Sequence, residues 1–164
     1  MLSYKDLGKV YTSGMLRVIS RDLDSLDGCP QHVYGHFECY FNRITSLIGG
    51  PQRVDGWYSC RDNNLSDLIG CASHISDALN FTDNPITSLV GIHKIIKSCP
   101  RLLFDCEPII VGGIGILLIE NIIYISSHSE PFKIIAKYIG TGTKGMMDCR
   151  AELISKGYEN YAKL

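Results

Sequence analysis

Three consecutive stretches of this chain align when it is written in rows of 21 residues. "LDSLDGCPQHVYGHFECYFNR" begins at Leu23, "ITSLIGGPQRVDGWYSCRDNN" at Ile44 and "LSDLIGCASHISDALNFTDNP" at Leu65. A fourth row opens at Ile86 with "ITSLVGIHKII". One column holds Leu23, Ile44, Leu65 and Ile86, and another Leu26, Leu47, Leu68 and Leu89. Gly28, Gly49, Gly70 and Gly91 follow, then Val33, Val54, Ile75 and Ile96. Phe37, Tyr58 and Leu79 align, as do Cys39, Cys60 and Phe81, and finally Asn42, Asn63 and Asn84. A fixed short period restricts the chain to a coil of stacked turns, because a single repeat cannot bury its own apolar face.

The second half of each row has one form: Phe37-x-Cys39-x-x-Asn42-x-Ile44, Tyr58-x-Cys60-x-x-Asn63-x-Leu65 and Leu79-x-Phe81-x-x-Asn84-x-Ile86. This L-x-L-x-x-N-x-L pattern resembles that of leucine-rich-repeat proteins. The resemblance covers roughly residues 14–100, with Gly14, Leu16 and Val18 matching the first half of a repeat. It implies a solenoid with a parallel β-sheet face, and strands are expected near residues 36–39, 57–60 and 78–81. Alternation along each strand sends Phe37 and Cys39 into the core together, and stacking at ~4.8 Å turns each column into a ladder. The chain bends after the strand, so the asparagine amides are expected to satisfy backbone groups stranded there. The glycines mark turns where a side chain would obstruct. Cys39 and Cys60 belong to the core as small hydrophobes.

The regular array is expected to fail after Ile96, with a distorted echo at Ile116-x-Leu118-x-x-Asn121-x-Ile123 and a short helix in "GIHKIIKSC". The tail changes period. "SSHSEPFKIIAKYIG" has Ser129 at an N-cap position, Pro131 in the first turn and Gly140 after the end. "TKGMMDCRAELISKG" predicts a second helix stopping at Gly157, with Met146, Met147, Leu153 and Ile154 as its buried stripe. The expected organisation is a solenoid over 1–126, regular over about 14–100 and irregular over 101–126, closed by a helical cap over 127–164. Repeats of "L-T-S-L-x-G-x-P" type followed by an ending like "RAELISKGYENYAKL" are also similar to uncharacterised leucine-rich-repeat-like proteins of tailed bacteriophages. That resemblance implies a viral product in a bacterial cytoplasm and lends no activity.

Composition narrows the function classes. An apolar share of 45% with 20% charged residues fits a globular chain, and a net charge of −1 offers no bulk attraction to nucleic acid or an anionic membrane. The start lacks a signal-peptide pattern, and the apolar run Ile109–Ile125 is too short and too interrupted to span a bilayer, so buried strand is expected there. Seven cysteines without CxxC spacing point to reduced thiols in a cytoplasm rather than to disulfides or zinc. "VGGIGI" opens no amphipathic helix, "GTGTKG" lacks the phosphate-loop ending and is expected to be a turn between helices, and "RDNNLSDL" lacks the glycine and glutamate of a calcium loop. No catalytic, cofactor or metal residues emerge, and the expectation is a non-enzymatic protein-binding module, with a self-assembling or virion-associated structural protein as the alternative. Its face is built from strand residues pointing away from the core: Arg17, His36, Glu38, Tyr40, Trp57, Ser59, Arg61, Asn80 and Thr82. Trp57, the one tryptophan, stands where its column has His36 and Ala78, so the repeat itself demands no aromatic there.

Overall fold

The computed structural model describes residues 1–8, 11–12, 14–105, 107, 109, 111–126 and 128–164. It is a right-to-purpose solution to the repeat: a β-solenoid whose principal sheet gains one parallel strand per turn. That sheet comprises β2 (Met15–Arg17), β4 (Phe37–Glu38), β6 (Tyr58–Ser59), β8 (Ala78–Asn80), β10 (Arg101–Leu103) and β12 (Tyr124–Ile125), in that spatial order. β1 (Tyr11–Thr12) lies antiparallel beside β2 and covers the first edge. A second sheet on another side of the coil contains β3 (His32–Val33), β5 (Arg53–Val54) and β7 (His74–Ile75). β9 (Ser88–Leu89) pairs with β11 (Val111–Gly112) on a third side.

The register follows the columns. Leu16 faces Phe37, Phe37 faces Tyr58 and Tyr58 faces Leu79, each pair 21 residues apart. Leu16, Val18, Phe37, Cys39, Tyr58, Cys60, Leu79 and Phe81 are all buried, as alternation requires. Buried thiols pack as apolar groups here, and the six described cysteines are free; Cys106 lies outside the described residues.

The asparagine ladder ties each turn to the one before. The Asn63 amide donates to Cys60 O at 3.1 Å and Arg61 O at 3.1 Å in its own turn, and to Cys39 O at 3.0 Å in the previous one. Its Oδ1 accepts from Ile44 N at 3.1 Å. Asn84 repeats this with Cys60 O, Phe81 O and Thr82 O, and Asn42 with Val18 O, Cys39 O and Tyr40 O. Cys39 O and Cys60 O, at the bend, each take amide bonds from two successive asparagines, while Tyr40 O and Thr82 O also accept from Ser20 N and Asp62 N of the preceding turn, so the amides supply hydrogen bonds that buried groups cannot draw from water.

Gly70 shows why its column is glycine. Its φ is 88°, and a Cβ there would lie 2.3 Å from Ile48 N of the preceding turn. Both the left-handed backbone and the close approach of two turns exclude a side chain.

The coil does not stop at Ile96. Leu79 pairs with Leu102 and Leu102 with Ile125, 23 residues apart in each case. His74 bridges Ser98, so the extra residues enter before Ser98, in the stretch that winds into α1 (Ile92–Ile95). A bend absorbs added residues without altering strand register, which is why the columns vanish from the sequence while the sheet continues. The expected strand at Ile116–Ile123 is therefore corrected. Ile114–Leu118 is a 3₁₀ helix, Asn121 is left-handed at φ 62°, and the last two strands of the principal sheet are β10 and β12. Asn121 donates to Ser98 Oγ and is not a rung of the asparagine ladder.

The C-terminal cap contains α2 (Glu130–Lys137), α3 (Gly142–Ser155) and a 3₁₀ turn at Glu159–Ala162. Ser129 occupies the N-cap position of α2 without a side-chain cap bond, and α3 already starts inside "GTGTKG", so that segment is only partly a turn. A row of rings joins coil to cap: Phe81 stacks on Phe104 at 5.3 Å, Phe104 meets Phe132 at 4.9 Å, and Phe132 meets Tyr161 at 5.7 Å. The terminal core face of the solenoid is thereby covered. The expected stripe on α3 is also corrected. Gly145, Cys149 and Leu153 are buried, Met146 is half-buried, and Met147 and Ile154 are exposed. The coil approaches α3 from an angle that periodicity within the helix does not contain.

Candidate binding face

Outward positions of the principal sheet come from the same alternation that fills the core. Across β2, β4, β6 and β8 they place Arg17, then His36, Glu38 and Tyr40, then Trp57, Ser59 and Arg61, then Asn80 and Thr82 on one side. Arg17 is exposed, and His36, Glu38, Tyr40, Trp57, Arg61, Asn80 and Thr82 are half-buried. Ser59 is only 3% exposed, and Ala78, beside Trp57 in the next turn, is fully covered. The middle of the face is thus closed over by its larger neighbours.

Most polar groups of the face are held by one another. Arg17 Nε pairs with Glu38 Oε2 at 2.6 Å, and Asn80 Oδ1 accepts from Thr82 N at 3.1 Å and Thr82 Oγ1 at 2.9 Å. His36 Nδ1 accepts from Trp57 N at 2.9 Å. That bond fixes the imidazole tautomer, since the accepting nitrogen carries no proton. Arg61 reaches across to the previous turn, with its guanidinium carbon 4.7 Å from the Tyr40 ring centre and 4.9 Å from that of Phe41. The two rings meet edge to face at 5.4 Å, and Arg61 also lies 3.3 Å from the Asp62 carboxylate. Burial, then the neighbouring Asp83, raises the Asp62 carboxyl above its ordinary value, against the pull of Arg61.

Phe41 was not among the residues expected on this face. It is left-handed at φ 55°, in a column whose other members, Ser20, Asp62 and Asp83, are small or polar and equally left-handed. A bulky residue is an outlier in that region. One aromatic among Ser, Asp and Asp is the signal that marks it, the same kind of signal that singles out Trp57. The face also continues past Thr82 onto Arg101, paired with Asp77, and the exposed Tyr124. Those residues escaped the row alignment because the spacing had changed.

No group of His, Cys, Asp and Glu among the described residues is arranged to hold a metal ion. Among the described residues no helix is long and apolar enough to cross a membrane. The class defined by this architecture is a capped parallel β-solenoid with a 21-residue repeat. No protein-family model, curated protein or solved structure matches the chain.

Proposed function

We propose that this solenoid is a non-enzymatic binding module that engages a protein partner through the outward face of its principal sheet. The observation that supports this reading is the platform of Tyr40, Phe41 and Arg61 at the strand ends, with Trp57 half-buried on the same sheet. Tyr, Trp and Arg are the side chains that dominate interface energetics, and a guanidinium already seated on two rings loses little freedom when a partner closes over it. The proposal extends to a phage product acting in a bacterial cytoplasm, a reading that rests on the form of the repeats alone. Affinity capture from bacterial lysate with wild type, Arg61→Ala and Trp57→Ala tests the proposal. A protein retained by wild type and lost with both variants, at unchanged melting temperature, supports it; identical retention by all three removes it.

A second reading, self-assembly, has its own observation. Ile48, Ile69 and Val90 form an exposed aliphatic row at 64%, 53% and 46% exposure. The same position in the preceding row is Asp27, exposed and paired with Lys5, so the fold accepts a charge there. Light scattering across a concentration series, with Ile69→Asp as the control, separates this reading from the first.

A further inference from the structure

One hydrogen bond of the strand face is not written in the repeat. Trp57 N donates to His36 Nδ1 at 2.9 Å, across the gap between two turns. The other members of the His36 column are Met15, Trp57 and Ala78, and none of their side chains presents a nitrogen or oxygen acceptor. The bond therefore belongs to this turn alone. Buried Gly56 admits it, since a Cβ there would lie 2.7 Å from His36 Nδ1.

The bond and a proton exclude each other. A neutral imidazole that accepts at Nδ1 carries its proton on Nε2, whereas an imidazolium donates from both nitrogens. Uptake of a proton from solvent at Nδ1 sets two N–H groups against each other. Histidine changes charge between about pH 5 and 8, and half-buried His36 is reached by solvent. The part that can respond is the peptide between Gly56 and Trp57. On one side of it Asp55 N donates to Val33 O at 2.9 Å, and Asp55 Oδ2 meets His32 Nε2 at 2.8 Å. On the other, Phe37 N donates to Trp57 O at 2.8 Å. Turning the one peptide between these anchors withdraws Trp57 N–H and brings Gly56 O toward Nδ1–H. Glycine tolerates the backbone change, and the rotation at Trp57 carries its ring to a new place on the face.

Among the described residues, the charged groups on the elements around His36 already have partners. Glu38 on the same strand is held by Arg17 of β2 at 2.6 Å, and Arg61 beyond β6 lies 3.3 Å from Asp62. At the corner, His32 first and then Arg53 hold the Asp55 carboxyl below its ordinary value. Asp55 therefore stays ionised through mild acid and keeps the corner anchored while His32 gains charge.

We propose that His36 is a pH-operated latch: protonation at Nδ1 in mild acid turns the Gly56–Trp57 peptide and displaces Trp57, so the face is set for its partner only near neutral pH and above. The effect on a partner rests on the binding function proposed above; the latch itself does not.

The test follows wild type, His36→Asn and His36→Ala between about pH 8 and 5. NMR reads the His36 ring nitrogens and the exchange protection of the Trp57 amide, and fluorescence reads the single tryptophan. Asparagine offers an oxygen near the place of Nδ1 and does not titrate. In wild type, Trp57 amide protection should fall about tenfold as His36 is protonated, the worth of one hydrogen bond. The emission should change with the same midpoint, and amides elsewhere should keep their protection. His36→Asn should stay protected throughout and His36→Ala unprotected throughout, neither with an emission step. A His36 ring that titrates without moving Trp57, or that is still neutral at the acid end of the series, overturns the proposal. So does an emission step that survives in His36→Asn, which would assign the step to another histidine. Capture from bacterial lysate at about pH 7.5 and 5.5 then reads the effect on binding. A protein released by wild type in acid and kept by His36→Asn supports the switch, and equal retention by both overturns it. Failure of wild type to retain any protein at either pH would remove the binding function alone, because the exchange and emission readouts need no partner.

Discussion

The amide of Asn63 donates to the carbonyl of Cys39, 3.0 Å away in the preceding turn and 24 residues back in sequence. One side chain thereby closes the bend of its own turn and fastens it to its neighbour. Each rung is a local bond with a long-range consequence.

Replacing Asn63 with alanine removes four hydrogen bonds to backbone groups, two of them in the previous turn. Asn63 is 7% exposed, so water cannot fully replace them. The expected loss is about 1–3 kcal/mol, read from chemical denaturation. A denaturation midpoint equal to that of wild type would show that the bend is solvated.

Gly70→Ala and Gly140→Ala separate two causes of glycine requirement. Both residues are left-handed, at φ 88° and 78°. A Cβ at Gly140 meets nothing within 4 Å, whereas one at Gly70 meets the backbone of Ile48 and Leu47. Gly140→Ala is expected to cost about 1–2 kcal/mol from backbone strain alone. Gly70→Ala adds overpacking and should cost about 2–5 kcal/mol in total. Equal costs at the two sites would mean that adjacent turns separate freely.

Stability should fall in alkali. Burial holds the Cys39, Cys60 and Cys71 thiols well above their ordinary value of 9.0 and pushes Cys99 up to about 11. In the unfolded chain these thiols ionise near 9.0, while in the fold they keep their protons. Above about pH 9 the unfolded state therefore binds fewer protons, and stability decreases as pH rises; below it this contribution is complete and constant. Tyr58 acts in the same direction from its ordinary value of 10.0. Guanidinium midpoints measured from about pH 7 to 10.5 should be flat at first and then decline. A flat curve throughout would place the thiols in contact with solvent.

Phe41→Asn tests whether the outlier on the binding face is kept for a partner. Asparagine tolerates left-handed backbone, and Asp62 and Asp83 hold the same conformation in the next two turns. The variant should be as stable as wild type or more stable by up to about 1 kcal/mol, while losing captured partner. Trp57→Ala should likewise stay within about 0.5 kcal/mol of wild type in folding and weaken capture by about 2 kcal/mol. Strong destabilisation by both changes, with capture intact, would make Phe41 and Trp57 packing residues.

The repeat by itself determined the coil, the inward columns, the asparagine ladder and the glycine turns. It could do so because every turn imposes the same local demand on residue type, and stacking writes that demand down the sequence at a constant interval. The presence of a helical cap was legible too, since an apolar core face cannot be left in water at the end of the coil. Tertiary structure decided the rest. It continued the sheet at a spacing of 23 through Leu102 and Ile125, where a longer bend hides the strand from any fixed alignment. It turned Leu153 inward and left Met147 and Ile154 outside, because the direction from which the coil meets α3 is no property of the helix. It also brought Arg61 onto Tyr40 and Phe41, a meeting set by how far one side chain reaches across the gap between turns.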